Sequence, residues 1–290
     1  MSKLLLQDYT TLLQEPQGLS ALLAAAHAPD LAVLGDYITD NGQGRFAVDS
    51  EVTALLSRAK TDERFDAKAR AAIEREVLLF GGNSVANVFR RLVSSSAPNG
   101  GAITYDELLR DVAKKLDVPM PSDTAALGLE RRILLKLFQG AREKAEPEAF
   151  TKAIAHLPGL DSREPPLPES LDDRPEYWAA IGAVVAGAMG QQLLHRSVVD
   201  EWVGVSAAGA AVAGAAAGAA AAAALRGAAI ALVGEAYGAV AALAGPVGLV
   251  IGGIWTIASL ASPAYRVTVP CVVQLGYMRN NYLALARLQT

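Results

Sequence analysis

The side chains of this chain that could do chemistry do not stand in a catalytic spacing. His27, His156 and His195 are the three histidines. None belongs to an HExxH pair, and none has a cysteine or a second histidine within a helical turn, so a metal would have to gather ligands from remote segments. Cys271 is the single cysteine. It can form neither an intrachain disulfide nor a thiolate zinc cluster, and it reads as a small buried side chain. Glu74 and Glu76 lie two apart, which on a helix points them in different directions. They read as solvated charges and not as an acid–base pair. There is no Walker-type phosphate loop and no GxSxG nucleophile elbow. The expectation is a protein that is not an enzyme and needs neither metal nor cofactor.

One short segment is built to turn a corner. Residues 67–80 carry a helical pattern, Gly81 and Gly82 follow, and Asn83 and Ser84 stand before a second helical run, 85–92. A glycine just past a helix can take a left-handed φ. Asn or Ser can then cap the next helix, whose free amides could hold an anion. A helix–turn–helix corner and an anion site are the two readings.

The elements that must position these residues are helices. Leu4, Leu5, Leu12 and Leu13 repeat at helical spacing, as do Val52, Leu55 and Leu56. Thr104 and Glu107 form a capping box, behind which Leu108, Leu109, Val112 and Leu116 make one apolar stripe. Asp123 stands as a cap before a longer helix through Leu127, Leu129, Ile133, Leu134, Leu137 and Phe138. Residues 1–157 therefore read as a soluble, acidic helical domain. Pro158, Pro165, Pro166, Pro168 and Pro175 mark 158–176 as an extended linker, because proline fixes φ and removes an amide donor. Residues 177–290 read as an Ala/Gly-rich apolar helical region with a C-terminal amphipathic helix. In that region Tyr177–Asp200 is expected to be helical and 263–270 extended. The last helix is expected to run from Pro270 to Leu288, with Pro270 as its first residue.

The segment Val203–Tyr265 poses the main physical problem. Its 63 residues carry only two charges, Arg226 and Glu235. A helix exposed to water needs a polar face, and none exists here, so the segment must lie in lipid, against a partner or in its own core. Val203–Leu225 is 23 residues without charge, long enough to cross a bilayer, but 14 of them are alanine. The piece 246–261 is the most apolar and holds Trp255. Gly214/Gly218, Gly234/Gly238 and Gly248/Gly252 are each four apart, so each pair presents a flat ridge that another helix can approach closely.

The net charge is −4. It divides into −7 over the first 202 residues and +3 over the rest. Such an acidic front argues against nucleic acid as a partner. The apolar run near Met1 is three residues, too short for a secretory signal, so the chain is expected to start in the cytoplasm.

Residues 80–87, Phe-Gly-Gly-Asn-Ser-Val-Ala-Asn, with Gly81, Gly82, Asn83, Ser84 and Asn87 as fixed points, resemble a signature of the YaaW-like family of uncharacterised bacterial proteins. So do 105–116 and, near the end, 264–270, which includes Tyr265, Arg266 and Pro270. The resemblance covers roughly residues 30–150 and 262–285. It implies no activity; members are sometimes labelled ubiquinol–cytochrome c chaperone-like.

The fold class expected is all-α: a helical N-terminal domain, Ala/Gly-rich apolar hairpins and a C-terminal helix. The function expected is that of a non-enzymatic, membrane-associated helical protein. Its hairpins would insert into or assemble at a bacterial membrane, with pore formation as the more adventurous form. The partners expected are the lipid membrane, copies of the chain itself and a protein bound through the N-terminal domain. The expected place is the cytoplasmic face of the inner membrane, or the cytoplasm with regulated membrane association. The alternative is a soluble helical interaction module or assembly chaperone, with the hairpin as its buried core. Tyr265, Tyr277 and Tyr282 with Arg266 and Arg279 could flank a membrane interface or be ordinary packing residues.

Overall fold

Local capping signals account for where three of the helices begin. The computed structural model of the chain describes residues 18–45, 48–81, 103–122, 124–144, 174–186 and 264–287, with the single positions 147, 148, 151 and 189. Among the described residues the regular elements are helices and none is a strand. They are α1 (Leu19–Ala25), α2 (Ala28–Thr39), α3 (Ser50–Thr61), α4 (Ala67–Gly81), α5 (Tyr105–Lys115), α6 (Ala126–Lys144), α7 (175–186) and α8 (Tyr265–Arg287).

Asp49 opens α3 by accepting the Glu51 amide at 2.8 Å. Asp66 opens α4 by accepting the Ala69 amide at 2.8 Å. The capping box before α5 is complete: the Thr104 amide donates to Glu107 Oε2 at 2.8 Å, and the Glu107 amide donates to Thr104 Oγ1 at 3.3 Å. The carbonyls that end α1 meet a cation. Arg70 of α4 donates to the Ala26 carbonyl at 3.0 Å, to that of Ala24 at 3.3 Å and to that of Leu23. A guanidinium at a helix C-terminus is favoured by the helix dipole.

The core is one cluster that runs in sequence from Leu19 to Ala286. The stripes on α5 and α6 feed it as their spacing predicts, through Leu108, Leu109, Val112, Leu129, Ile133, Leu134, Leu137 and Phe138. Its middle is α8, which packs on α1, α2, α4, α5 and α6. Every residue from Cys271 to Leu283 is buried, so α8 has no wet face over that stretch. This corrects the amphipathic C-terminal helix expected from the sequence. It also corrects the extended 263–270: the helix already starts at Tyr265, and Pro270 is its sixth residue. Burial of Val267, Val269, Val272 and Val273 on several sides outweighs the local extended preference of a β-branched, proline-bracketed run. The amide that Pro270 lacks would have bonded the carbonyl of Arg266, and Arg266 is exposed, so the loss falls at the wet end of the helix.

Three glycines let helices come close. A Cβ on Gly182 of α7 would stand 2.9 Å from Tyr277 Cα, a backbone atom of α8. One on Gly276 would meet Glu130 Cβ of α6 at 3.3 Å. One on Gly81 would meet Leu108 Cδ1 at 2.6 Å and Ile103 Cδ1 at 2.8 Å. Gly81 itself is helical, not left-handed, which corrects the helix-ending conformation expected there. Its glycine is required by the approach of α5 and Ile103.

Among the described residues no helix is long and apolar enough to cross a membrane. The Ala/Gly-rich pieces, nearly all of the proline-rich linker, Asp123 and the leucines before position 18 lie outside the described residues.

Candidate functional site

The buried helix α8 carries polar residues that its own pattern does not satisfy. Thr268, Gln274, Arg279, Asn280 and Asn281 are all buried. A charge taken out of water is tolerated only when it is paired and hydrogen-bonded. Gln274, Arg279 and Asn280 find partners on the helices around them. Thr268 bonds the Ala264 carbonyl just before its own helix, and Asn281 Oδ1 has no hydrogen-bond partner among the described residues. Two clusters result.

The first is an ion pair shared by three helices. Arg279 Nε donates to both oxygens of Glu130 on α6, at 3.0 and 2.8 Å. Both side chains are completely buried. The Tyr105 hydroxyl of α5 donates to Glu130 Oε1 at 2.5 Å, and the guanidinium lies 5.8 Å from the Tyr105 ring centre. Arg279 also donates through Nη1 to the Gly18 carbonyl at 3.1 Å, just before α1. Burial alone would lower the basicity of Arg279; the Glu130 carboxylate and the Tyr105 hydroxyl together outweigh it and raise it. Burial and the same carboxylate hold the Tyr105 phenol protonated well above its ordinary range. One residue on, Asn280 accepts from Arg131 Nε at 2.9 Å and donates to the Gly276 carbonyl at 2.8 Å. Arg131 in turn lies over the Trp178 ring of α7, 5.6 Å from its centre.

The second cluster joins α8 to the first turn of α2. Asp30 is buried, at 6% exposure. The Tyr282 hydroxyl donates to its Oδ2, and Gln274 Nε2 approaches its Oδ1 at 3.4 Å. The His27 amide donates to the Tyr282 oxygen at 3.1 Å, and the His27 and Tyr282 rings are 5.4 Å apart. Burial raises the Asp30 carboxyl to about 6, against the hydrogen bond from Tyr282, which lowers it. Burial and the charge of Arg70 lower His27. Tyr277, Arg279 and Tyr282 are therefore core residues of the helical body, where the sequence left a membrane interface open as an alternative.

A surface cleft of about 240 Å³ lies between α2 and α3. Asp36 and Lys60 pair across it at 2.7 and 2.8 Å, and Thr39, Ser57 and Thr61 line it. Burial raises the Asp36 carboxyl, and Lys60 pulls it back.

The residues singled out from the sequence are dispersed. Gly81 ends the described part of α4, Tyr265 and Arg266 open α8, and Pro270 is half-buried within it. Tyr265 lies under Lys115 of α5, with Nζ 5.3 Å from the ring centre. Gly82, Asn83, Ser84, Asn87, Gly214, Gly218, Gly234, Gly238, Gly248, Gly252, Trp255, His156 and His195 lie outside the described residues. Glu76 is buried at 5% exposure and is not the solvated charge its spacing suggested. The exposed stripe of that helix is Ala67, Lys68, Ala71 and Arg75, and Glu76 falls outside it, on the side covered by the other helices. Glu74 accepts from the Ser20 hydroxyl at 2.6 Å. Cys271 is buried and burial pushes its thiol up to about 12. Among the described residues no group of three or more His, Cys, Asp or Glu could hold a metal ion.

Sequence reasoning missed both buried clusters. Their signal was present: Gln274, Arg279, Asn280 and Asn281 interrupt an otherwise apolar helix, and buried polar groups demand partners.

The chain is similar to proteins of Helicobacter pylori described as UPF0174 proteins. One, of strain J99, is 23% identical over 266 residues, 89% of this chain and 88% of the relative. A second of that strain is 28% identical over 239 residues, 82% of this chain and all of the relative. One of strain 26695 is 27% identical over 215 residues, 73% of this chain and 88% of the relative. No protein-family model matches the chain, and no solved structure matches it. These relatives are not YaaW-like proteins, so the YaaW-like assignment is corrected, and the chaperone-like label that came with it falls away. It rested on three short runs, 80–87, 105–116 and 264–270, whereas the similarity to the UPF0174 proteins extends over most of the chain.

Proposed function

We propose that this chain is a non-enzymatic helical protein that grips the Ala/Gly-rich segment 203–265 by both ends and delivers it to a membrane, where its small-residue ridges self-associate. The observation that carries this reading is the position of the flanks. In sequence the segment lies between α7 and α8, and these two helices pack against each other in the helical core, with Gly182 against Tyr277. A segment whose two flanking helices share one core must leave that core and return to it, which suits a looped insertion better than a one-way tail. Its near-absence of charge favours lipid, and in lipid close packing of glycine ridges is what draws helices together.

Flotation of the purified full chain with vesicles of phosphatidylethanolamine and phosphatidylglycerol tests the reading. The full chain should float with the vesicles. A variant in which residues 203–262 are replaced by a short Gly/Ser linker should stay at the bottom with its helical spectrum kept. Gly218→Leu should still float but change the size of the cross-linked oligomer. A full chain that stays monomeric and never floats would overturn the proposal and leave the segment as part of a soluble core.

A further inference from the structure

Among the described residues three carboxylates are buried, Asp30, Glu76 and Glu130, and the two that bond side chains of α8, Asp30 and Glu130, are treated differently. Glu130 is matched by the Arg279 guanidinium, which takes both its oxygens. Asp30 has no such partner: its two oxygens meet a phenol and a carboxamide, Tyr282 and Gln274, and among the described residues no cation bonds it. Buried carboxylates are almost always paired. The neighbouring charges are all engaged elsewhere. Arg70 of α4 is spent on the carbonyls that end α1. Arg279 of α8 is spent on Glu130 and Gly18. Lys60 of α3 is spent on Asp36, two turns further along α2. Tyr37 of α2 and Cys271 of α8 are held protonated by burial. Asp30 lies in the first turn of α2, where the helix dipole favours a negative charge, but that gain is small beside the cost of an unpaired charge at full burial.

We propose that Asp30 is a proton-binding site that couples acidity to the docking of α8 on α2. When Asp30 holds a proton, its hydroxyl can donate as well as accept, and a neutral carboxyl sits at the contact. When the proton leaves, an unpaired charge faces α8; the donors Tyr282 and Gln274 offset only part of the cost of its burial, and loosening of the contact, which admits water to the carboxylate, relieves the rest.

The sign follows from the burial. Asp30 binds its proton more tightly in the closed body, with a midpoint near 6, than in an opened chain, near 3.8. The hold on α8 is therefore strongest in acid and weakens as pH rises through about 4 to 6. His27, at the same contact, acts in the opposite direction. Its proton affinity is lowered in the closed body, so acid loosens the contact through His27. Removing His27 isolates the Asp30 effect.

Hydrogen exchange of the Gln274–Tyr282 amides in the full chain, corrected for intrinsic rates, reads the docking. In H27Q protein, protection should be about tenfold higher at pH 5 than at pH 7, the ratio those two midpoints set for one coupled proton. In H27Q/D30N protein the dependence should vanish, with protection at pH 7 raised to the acid level. In H27Q/Y282F protein, loss of the donor that favours the carboxylate should move the profile to higher pH. If the D30N protein does not fold, the Y282F profile carries the test. The same pH profile with and without Asp30, or an unmoved profile in Y282F, would overturn the proposal.

Discussion

Arg279 shows why a buried charge is a poor measure of stability. Removing one partner of a buried pair leaves the other charge unpaired, at about 3–5 kcal/mol. Arg279→Met should therefore destabilise the body by that amount, and Glu130→Leu similarly. The double variant should recover part of the loss, because two apolar side chains need no partner, while the Tyr105 hydroxyl and the Gly18 carbonyl lose theirs. Chemical denaturation of the three variants checks this, and additive losses would show that the two residues act separately. Cys271 gives a simpler expectation. Its thiol is buried and pushed up to about 12, and the thiolate is the reactive form. A thiol reagent at pH 8 should leave the folded protein unlabelled and label it fully in denaturant.

At the scale of the helix, what sequence could reveal depended on how far away the partner lay. The Thr104–Glu107 capping box joins residues three apart, and it was readable without any fold. The stripes of α5 and α6 were readable because one wet side remains opposite each. The depth of α8 was not readable, since Arg279 meets Glu130 across 149 positions of sequence and no periodicity in α8 points to it. Gly81 was half readable: the need for glycine was visible, but the cause is the nearness of Leu108 and Ile103, not a left-handed φ. Gly81→Val should thus cost about 1–3 kcal/mol by overpacking. Gly182→Ala should cost at least as much. The added methyl meets the backbone of Tyr277, which cannot rotate away as a leucine tip can. Melting temperatures of the two variants decide it, and an unchanged value for Gly182→Ala would mean that α7 and α8 separate freely.

For the whole molecule, the question is what the body does without its middle. Residues 1–157 carry α1 to α6, but α8 packs on five of those helices. A fragment of residues 1–157 should keep a helical circular dichroism spectrum and lose a sharp thermal transition, because removing α8 uncovers the faces of five helices and strips Glu130 and Asp30 of their partners. A synthetic peptide of residues 265–287 should restore the transition. A sharp melt of the fragment alone would show that the first six helices are a complete folding unit. The placement of α8 also sets an order of events in time. Arg279 reaches the carbonyl of Gly18, 261 positions earlier in the chain, so the body closes only when its last helix has been made. A ribosome works from the N-terminus at about 5–20 residues per second. The Ala/Gly-rich segment thus leaves the exit tunnel seconds before the helix that completes the body. In that interval the nascent chain offers its most apolar stretch to the surroundings while the rest is unfinished, and what it meets then, a bilayer or a chaperone, has the first claim on it.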